Sequence, residues 1–353
     1  MTHVVARRPD DVTPEWLSDV LGFPVESFST HPVGTGQMAD SVRFRLEPGG
    51  QSVVLKFAAA DDTSRATGLA LRSYEIEVRC YQDILPTVGI RTPHCHFAEI
   101  ETDTGWFTIV LEDMAPAQQG DQLAGCTIDQ AAIALEELAK LHAPRWGDPS
   151  LLDLEWLHKG DQAASGTTMI VQGLYVGFRE RYADRLTEEQ LDLSARLSAG
   201  LPHLFAQRGG PLTVTHGDYR LDNMLFGTDA ESPALAVVDW QTASTGPGLT
   251  DASYFLGAGL LPEDRQANER DLVREYHGAL VAGGVDDYDW DTCWTDYRRF
   301  SFGGLVMAIA ASMLVERTPR GDDMFMAMAT RHCQQILDLE ATEFLPAADA
   351  GAP

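Results

Sequence analysis

Apolar and polar positions change period along the chain, and the changes divide it. Residues 41–46 (SVRFRL) and 52–58 (SVVLKFA) alternate in the manner of half-buried strands, and Pro48, Gly49 and Gly50 between them supply a hairpin turn. Thr13 followed by Pro14 marks the start of a short helix ahead of them. The stretch 25–111 reads mainly as strands, interrupted by helical spacing over 66–85 and closed by a buried strand over 106–111 (WFTIVL). Glu112, Asp113, Pro116 and Gly120 then break the pattern, which divides the chain into a first unit, 1–115, and a second, 116–353. In the second unit Ile133, Leu135, Leu138 and Leu141 give 128–142 a helical face, and further helical segments begin near 163, 188, 269 and 292. The apolar run 303–315 is too short to span a bilayer and reads as a buried helix. Within 211–239 two apolar runs, LTVTH and ALAVVD, flank a polar loop and predict a small hairpin-like insert that carries residues on its ends. The expected class is α+β, an antiparallel sheet with one main helix followed by a larger, mostly helical unit.

Composition narrows the partners. The 353 residues are 44% hydrophobic and 22% charged, enough for sizeable cores in two units. Lys and Arg number 26 against 53 Asp and Glu, and the net charge of -27 opposes binding to nucleic acid or to an anionic membrane. A small neutral or cationic partner fits this balance better. The five cysteines are scattered with no CxxC pair, so neither a disulfide framework nor a thiolate zinc site is expected. With no apolar run after Arg7 and Arg8, the start of the chain does not read as a secretory signal, and the expectation is a cytoplasmic protein.

The densest chemical signal is His216-Gly217-Asp218-Tyr219-Arg220-Leu221-Asp222-Asn223, with Asp239 sixteen residues beyond Asn223 in AVVDWQ. A carboxylate that takes a hydroxyl proton, an Asn shortly after it and a second carboxylate at a strand end suit Mg²⁺ and a nucleophile aligned on a triphosphate. Any one of these residues alone would read as a turn. Together, HGDYRLDN and the downstream VVDW resemble the catalytic loop and metal-binding Asp of the aminoglycoside phosphotransferase and choline kinase-like family. The wider similarity covers roughly 33–255.

That resemblance implies a bilobal protein-kinase-like fold and a Mg²⁺- and ATP-dependent transfer to a hydroxyl. By it, Asp218 would be the catalytic base, Asn223 and Asp239 would bind magnesium, and His216 would brace the loop. Lys56, in VVLKF, is similar to the family lysine on the α- and β-phosphates. Its helix partner would be Glu77 or Glu75 in YEIEVRCY, with Glu77 favoured because Tyr81 follows four residues on, as in the family's E-x-x-x-Y pattern. Gly34, Gly36 and Ser41, in GTGQMADS, occupy the place of the phosphate-covering loop. Glu112 and Met114 fall at the hinge whose backbone would read the nucleotide base. Asp251 would anchor the catalytic loop and cap a helix.

Other features carry less. His94 and His96 share a strand face without a third ligand at useful spacing, so they read as a structural pair, and no GxSxG elbow supports hydrolase chemistry. The aromatics Trp290, Trp294, Tyr297 and Phe300, three and four residues apart, fit a core face or an acceptor pocket. LEDMAPAQQGDQLAGCT and LAKLHAPRW look more like the choline kinase-like and ecdysteroid-kinase-like branch than like antibiotic-resistance enzymes. The acceptor class therefore spans aminoglycosides, amino alcohols and hydrophobic alcohols. The alternative is a nucleotide-binding regulatory pseudokinase without phosphoryl transfer. Protein kinase activity is disfavoured by Trp240-Gln241 where such kinases carry Phe-Gly.

Overall fold

The computed structural model describes residues 4–33, 38–158, 160–207, 209–229 and 232–346. Its contacts group the chain into two units, Met1–Gln118 with Leu225–Ala243, and Gln119–Met224 with Ser244–Pro353. The sequence reading cuts the chain once, after 115. The stretch 225–243 belongs with the first unit because it is bonded there: the Val237 N–H donates to the Arg91 carbonyl at 2.9 Å, and Asp239 meets Lys56.

The first unit opens with α1 (Pro14–Leu21), whose N-cap Thr13 accepts the Trp16 N–H as the Thr-Pro pair predicts. Five antiparallel strands follow: β1 (Ser27–Pro32), β2 (Ala39–Glu47), β3 (Ser52–Ala58), β4 (Cys95–Glu101) and β5 (Trp106–Glu112), in the order β1-β2-β3-β5-β4. Gly49 and Gly50 have positive φ values of 117° and 68°, the left-handed backbone that the β2–β3 turn requires. Alternation then sorts the faces. Val42, Phe44 and Leu46 of β2 and Val53, Leu55 and Phe57 of β3 are buried in one cluster with Leu17 of α1 and Val110 of β5. Lys56, one position out of phase, points to the other face.

The single helix expected over 66–85 is instead α2 (Asp62–Ala70) and α3 (Ser73–Arg79), followed by a wide π-type turn over Cys80–Ile84. The break falls at Arg72, which adopts a left-handed φ of 57°. It lets the Tyr74 hydroxyl donate to the Met38 carbonyl at 2.6 Å, a tertiary contact that the local helical period does not encode.

The remaining strands are short: β6 (Gln118–Gln119), β7 (Leu212–Thr215), β8 (Met224–Phe226), β9 (Leu235–Val237) and β10 (Ser244–Pro247). The predicted hairpin of LTVTH with ALAVVD does not form, because β7 pairs antiparallel with β10 and β9 with β8. Apart from β7 and β10 the second unit is mostly helical, with α4 (Ile128–His142), α5 (Gly160–Tyr182), α6 (Glu188–Ala206), α7 (Leu249–Gly259), α8 (Pro262–Ala282), α9 (Trp290–Phe300), α10 (Phe302–Leu314) and α11 (Pro319–Asp338). α7 is its centre: ten of its eleven residues are buried, and α4, α8, α9, α10 and α11 pack around it. α9 turns Tyr297 into the core, while Trp290 and Trp294 are half-buried under the guanidinium groups of Arg270 and Arg274. Among the described residues no helix is long and apolar enough to cross a membrane.

Candidate active site

In the first unit, three charged residues from three elements converge. The Lys56 ammonium on β3 donates to Glu77 Oε1 on α3 at 2.7 Å and to Asp239 Oδ1, just past β9, at 2.8 Å. The Lys56 and Glu77 side chains are 13% and 1% exposed, so this pair is largely out of water, where an ion pair persists only with close geometry. Burial opposes the charge on Lys56, but Asp239 and Glu77 together outweigh it and hold the ammonium's proton above the ordinary lysine range. Glu75 is elsewhere. Two residues away on α3, it faces Arg72 and Arg79 at 2.9 and 3.0 Å. The helix partner of Lys56 is therefore Glu77.

Asp239 adopts a left-handed φ of 69°. Such a backbone is costly for a residue with a Cβ, though Asp tolerates it better than most, and it directs the carboxylate onto Lys56 while the Gln241 amide reaches the other oxygen at 3.2 Å. Ser41 stands directly opposite Lys56 in the β2–β3 register, on the same face. Gly34 and Gly36 lie outside the described residues. At the end of β5, Glu112 accepts from Arg91 at 2.7 Å and from the His94 N–H at 2.9 Å, and Met114 Sδ lies 3.8 Å from the same guanidinium. Between them Asp113 is bound by Arg43 and Ser52.

In the second unit the polar loop after β7 is pinned from α7. The Asp251 carboxylate accepts the His216 N–H at 2.6 Å and the Gly217 N–H at 3.0 Å, and it meets the buried His142 imidazole at 3.3 Å. Asp251 lies inside the first turn of α7 rather than capping it. Tyr219 ties the loop to α4 through a 2.6 Å bond to the Ala134 carbonyl. The loop then presents Asp218, whose side chain is 17% exposed.

Three side chains donate to the Asp218 carboxylate. Tyr254 O–H donates to Oδ1 at 2.7 Å, Arg220 Nε lies 3.1 and 3.0 Å from the two oxygens, and Asn223 Nδ2 donates to Oδ2 and to the Asp218 carbonyl, each at 2.9 Å. Burial raises the proton affinity of Asp218, but the Arg220 charge and the Tyr254 hydrogen bond outweigh it, so the carboxyl sits below the usual carboxylate range. Arg220 is held in turn by Asp222 at 2.6 Å. The Asn223 amide nitrogen is thus turned onto Asp218.

Two of these partners escape a reading of the sequence. Tyr254 sits in LTDASYFLGAG, which looks like core, and Arg220 lies inside the recognised loop with no signal of its own beyond its charge. Among the described residues no group of three or more His, Cys, Asp or Glu could hold a metal by itself. His94 and His96 contact each other edge to face, with ring centres 4.7 Å apart.

The model of the phosphotransferase enzyme family matches residues 30–298. Among solved structures, an ethanolamine kinase of Plasmodium vivax is similar, with a TM-score of 0.54 at 10% identity, over 87% of this chain and 82% of that one. The aminoglycoside phosphotransferase APH(2″)-IIIa in complex with GDP and kanamycin gives a TM-score of 0.53 at 14% identity, over 90% of this chain and 98% of that one. At these identities the likeness is one of fold, α+β and protein-kinase-like. A curated mouse (Mus musculus) relative, acyl-CoA dehydrogenase family member 10, is 31% identical over 121 residues. That stretch is 30% of this chain and only 11% of the mouse protein.

Proposed function

Because the chain belongs to the phosphotransferase enzyme family, we propose that it transfers the γ-phosphoryl group of Mg·ATP to a hydroxyl of a small molecule. The observation that carries this reading is Lys56 held at 2.7 Å by Glu77 and 2.8 Å by Asp239, an ammonium fixed for the oxygens of a triphosphate. In it Ser41 borders the phosphates, and the backbone at Glu112 and Met114 receives the base.

Asn223 and Asp239 offer an amide and a carboxylate oxygen, hard donors of the kind Mg²⁺ takes alongside phosphate oxygens and water. When bound, the ion neutralises charge on the triphosphate. Asp218 orients the acceptor hydroxyl. The acceptor oxygen forms its bond to the γ-phosphorus, the bond to the bridging oxygen breaks with its electron pair leaving on ADP, and the hydroxyl proton passes to Asp218. A carboxylate with three donors is a weak base, so its contribution is alignment more than proton abstraction.

The acceptor is an amino alcohol, an aminoglycoside or a hydrophobic alcohol. Five unpaired thiols support a cytoplasmic site of action. The test is phosphate transfer from Mg·ATP and Mg·GTP to ethanolamine, choline, kanamycin and long-chain alcohols. Acceptor-dependent ADP release that disappears in Asp218→Asn is expected. Nucleotide binding with no transfer to any acceptor class would instead leave a regulatory binding protein.

A further inference from the structure

We infer that Tyr254 is a positioning residue for Asp218, fixing the rotation of its carboxylate, and that His332 holds the Tyr254 ring in place. The inference rests on the reading of Asp218 as the group that orients the acceptor.

The terminal torsion of an aspartate is soft and roughly two-fold, so hydrogen bonds rather than rotamer wells must set it. Arg220 Nε lies almost equally far from both oxygens, 3.1 and 3.0 Å, and so discriminates little between rotations. Asn223 reaches Oδ2 but belongs to the same loop and travels with it. Tyr254 is different: its 2.7 Å bond to Oδ1 comes from α7, outside the loop. Three residues earlier on that helix, Asp251 holds the loop backbone at His216 and Gly217. One helix face thus fixes both the main chain and the side chain of the aspartate. Burial and the neighbouring Asp218 charge keep the Tyr254 hydroxyl protonated, which leaves it a donor.

The ring needs a backing, and His332 of α11 supplies it. The two rings are parallel within 6°, with centres 5.6 Å apart. His332 is fully buried, and two helices make room for it by omitting a side chain. A Cβ at Gly304 of α10 would lie 2.0 Å from the imidazole, and one at Gly257 of α7 would lie 2.5 Å from it. Gln335, one turn along α11, meets its Nδ1 at 3.3 Å. Burial pushes the imidazole down to about 4, so a neutral ring stands against Tyr254 and does not compete for the Asp218 charge.

The test is Tyr254→Phe, which keeps the ring and removes only the donor. Crystal structures of wild type and variant should differ at Asp218, with the carboxylate rotated or split between orientations in the variant. An Asp218 that superposes in a single orientation overturns the inference. Turnover is read with Mg·ATP and whichever of kanamycin, ethanolamine or 1-octanol the wild type phosphorylates, or with water where none serves. Tyr254→Phe should lower kcat about 10-fold or more and leave the KM for Mg·ATP within about threefold, since misalignment acts on the reacting step. Unchanged kcat with the ring retained means that Tyr254 only packs. Asp218→Asn separates the two failures: if it keeps full turnover, the reading of Asp218 falls, whereas an inactive Asp218→Asn beside a fully active Tyr254→Phe removes only the positioning role.

Discussion

Lys56 and Glu77 meet at 2.7 Å across the second face of the five-stranded sheet, with Asp239 as the third member of the cluster. Removal of the two partners has unequal consequences. Lys56→Met leaves two carboxylates facing each other without their cation, and breaking a buried pair in this way costs about 3–5 kcal/mol. Glu77→Gln leaves the ammonium on Asp239 and should cost less, about 1–2 kcal/mol. Urea unfolding of the two variants decides the matter. A Lys56→Met protein as stable as Glu77→Gln would mean that the cluster contributes little to folding.

The Asp251 carboxylate satisfies two backbone donors of the loop that carries Asp218. Asp251→Ala orphans both, the His216 N–H fully buried and the Gly217 N–H partly so, at roughly 1–3 kcal/mol for a buried group left unpaired and less for the other. Asp251→Asn retains one acceptor oxygen and should fall between alanine and wild type. The loss should appear in thermal melts and, more steeply, in turnover, because Asp218 drifts with its loop. Turnover in Asp251→Ala equal to wild type would show that the loop holds its shape unaided.

His332 gives stability a pH dependence of defined sign. Its folded pKa, about 4, is below the unfolded value near 6.5. The unfolded chain therefore binds the additional proton, and the contribution is full above about pH 6.5 and lost as pH falls towards 4. At pH 4 the loss from this group is about 3 kcal/mol. Unfolding free energies of wild type and His332→Gln, measured at pH 7 and pH 4.5, isolate it. The wild type should lose more over that interval, and equal losses would mean that the imidazole reaches water.

The sequence exposes this site unevenly. Lys56 is legible because a charge in an alternating strand has only one face to occupy, and the HGDYRLDN loop because its residue types are chemically specific together. Glu77 needed the helix spacing to Tyr81, and the structure separates it from Glu75 by giving Glu75 two arginines of its own. Tyr254 is not legible, since its bond to Asp218 spans 36 residues and its helix reads as uniform core. Nor are Gly257 and Gly304, which look like weak points in helices until the buried His332 ring explains them. The pairing of β7 with β10 fails for a related reason: STGP has no alternation, so only its partner defines it as a strand.

Asp239 combines two roles that one substitution separates. Its Oδ1 accepts from Lys56, and its Oδ2 lies 3.2 Å from the Gln241 amide. Asp239→Asn keeps the size and most hydrogen-bonding capacity while removing the charge, and Lys56 retains Glu77, so the fold should survive with a loss of about 1–2 kcal/mol. The side chain is 27% exposed, which leaves the carboxylate accessible to a cation arriving with nucleotide. A ligand that binds only the folded state stabilises it by about 2.7 kcal/mol at a hundredfold excess over Kd, so wild type with Mg·ATP should melt several degrees higher than wild type alone. Chelation with EDTA should remove most of that rise, as should Asp239→Asn with Mg²⁺ present. A variant that keeps the full Mg²⁺-dependent rise would take Asp239 out of the metal site, leaving it only as the second carboxylate on Lys56.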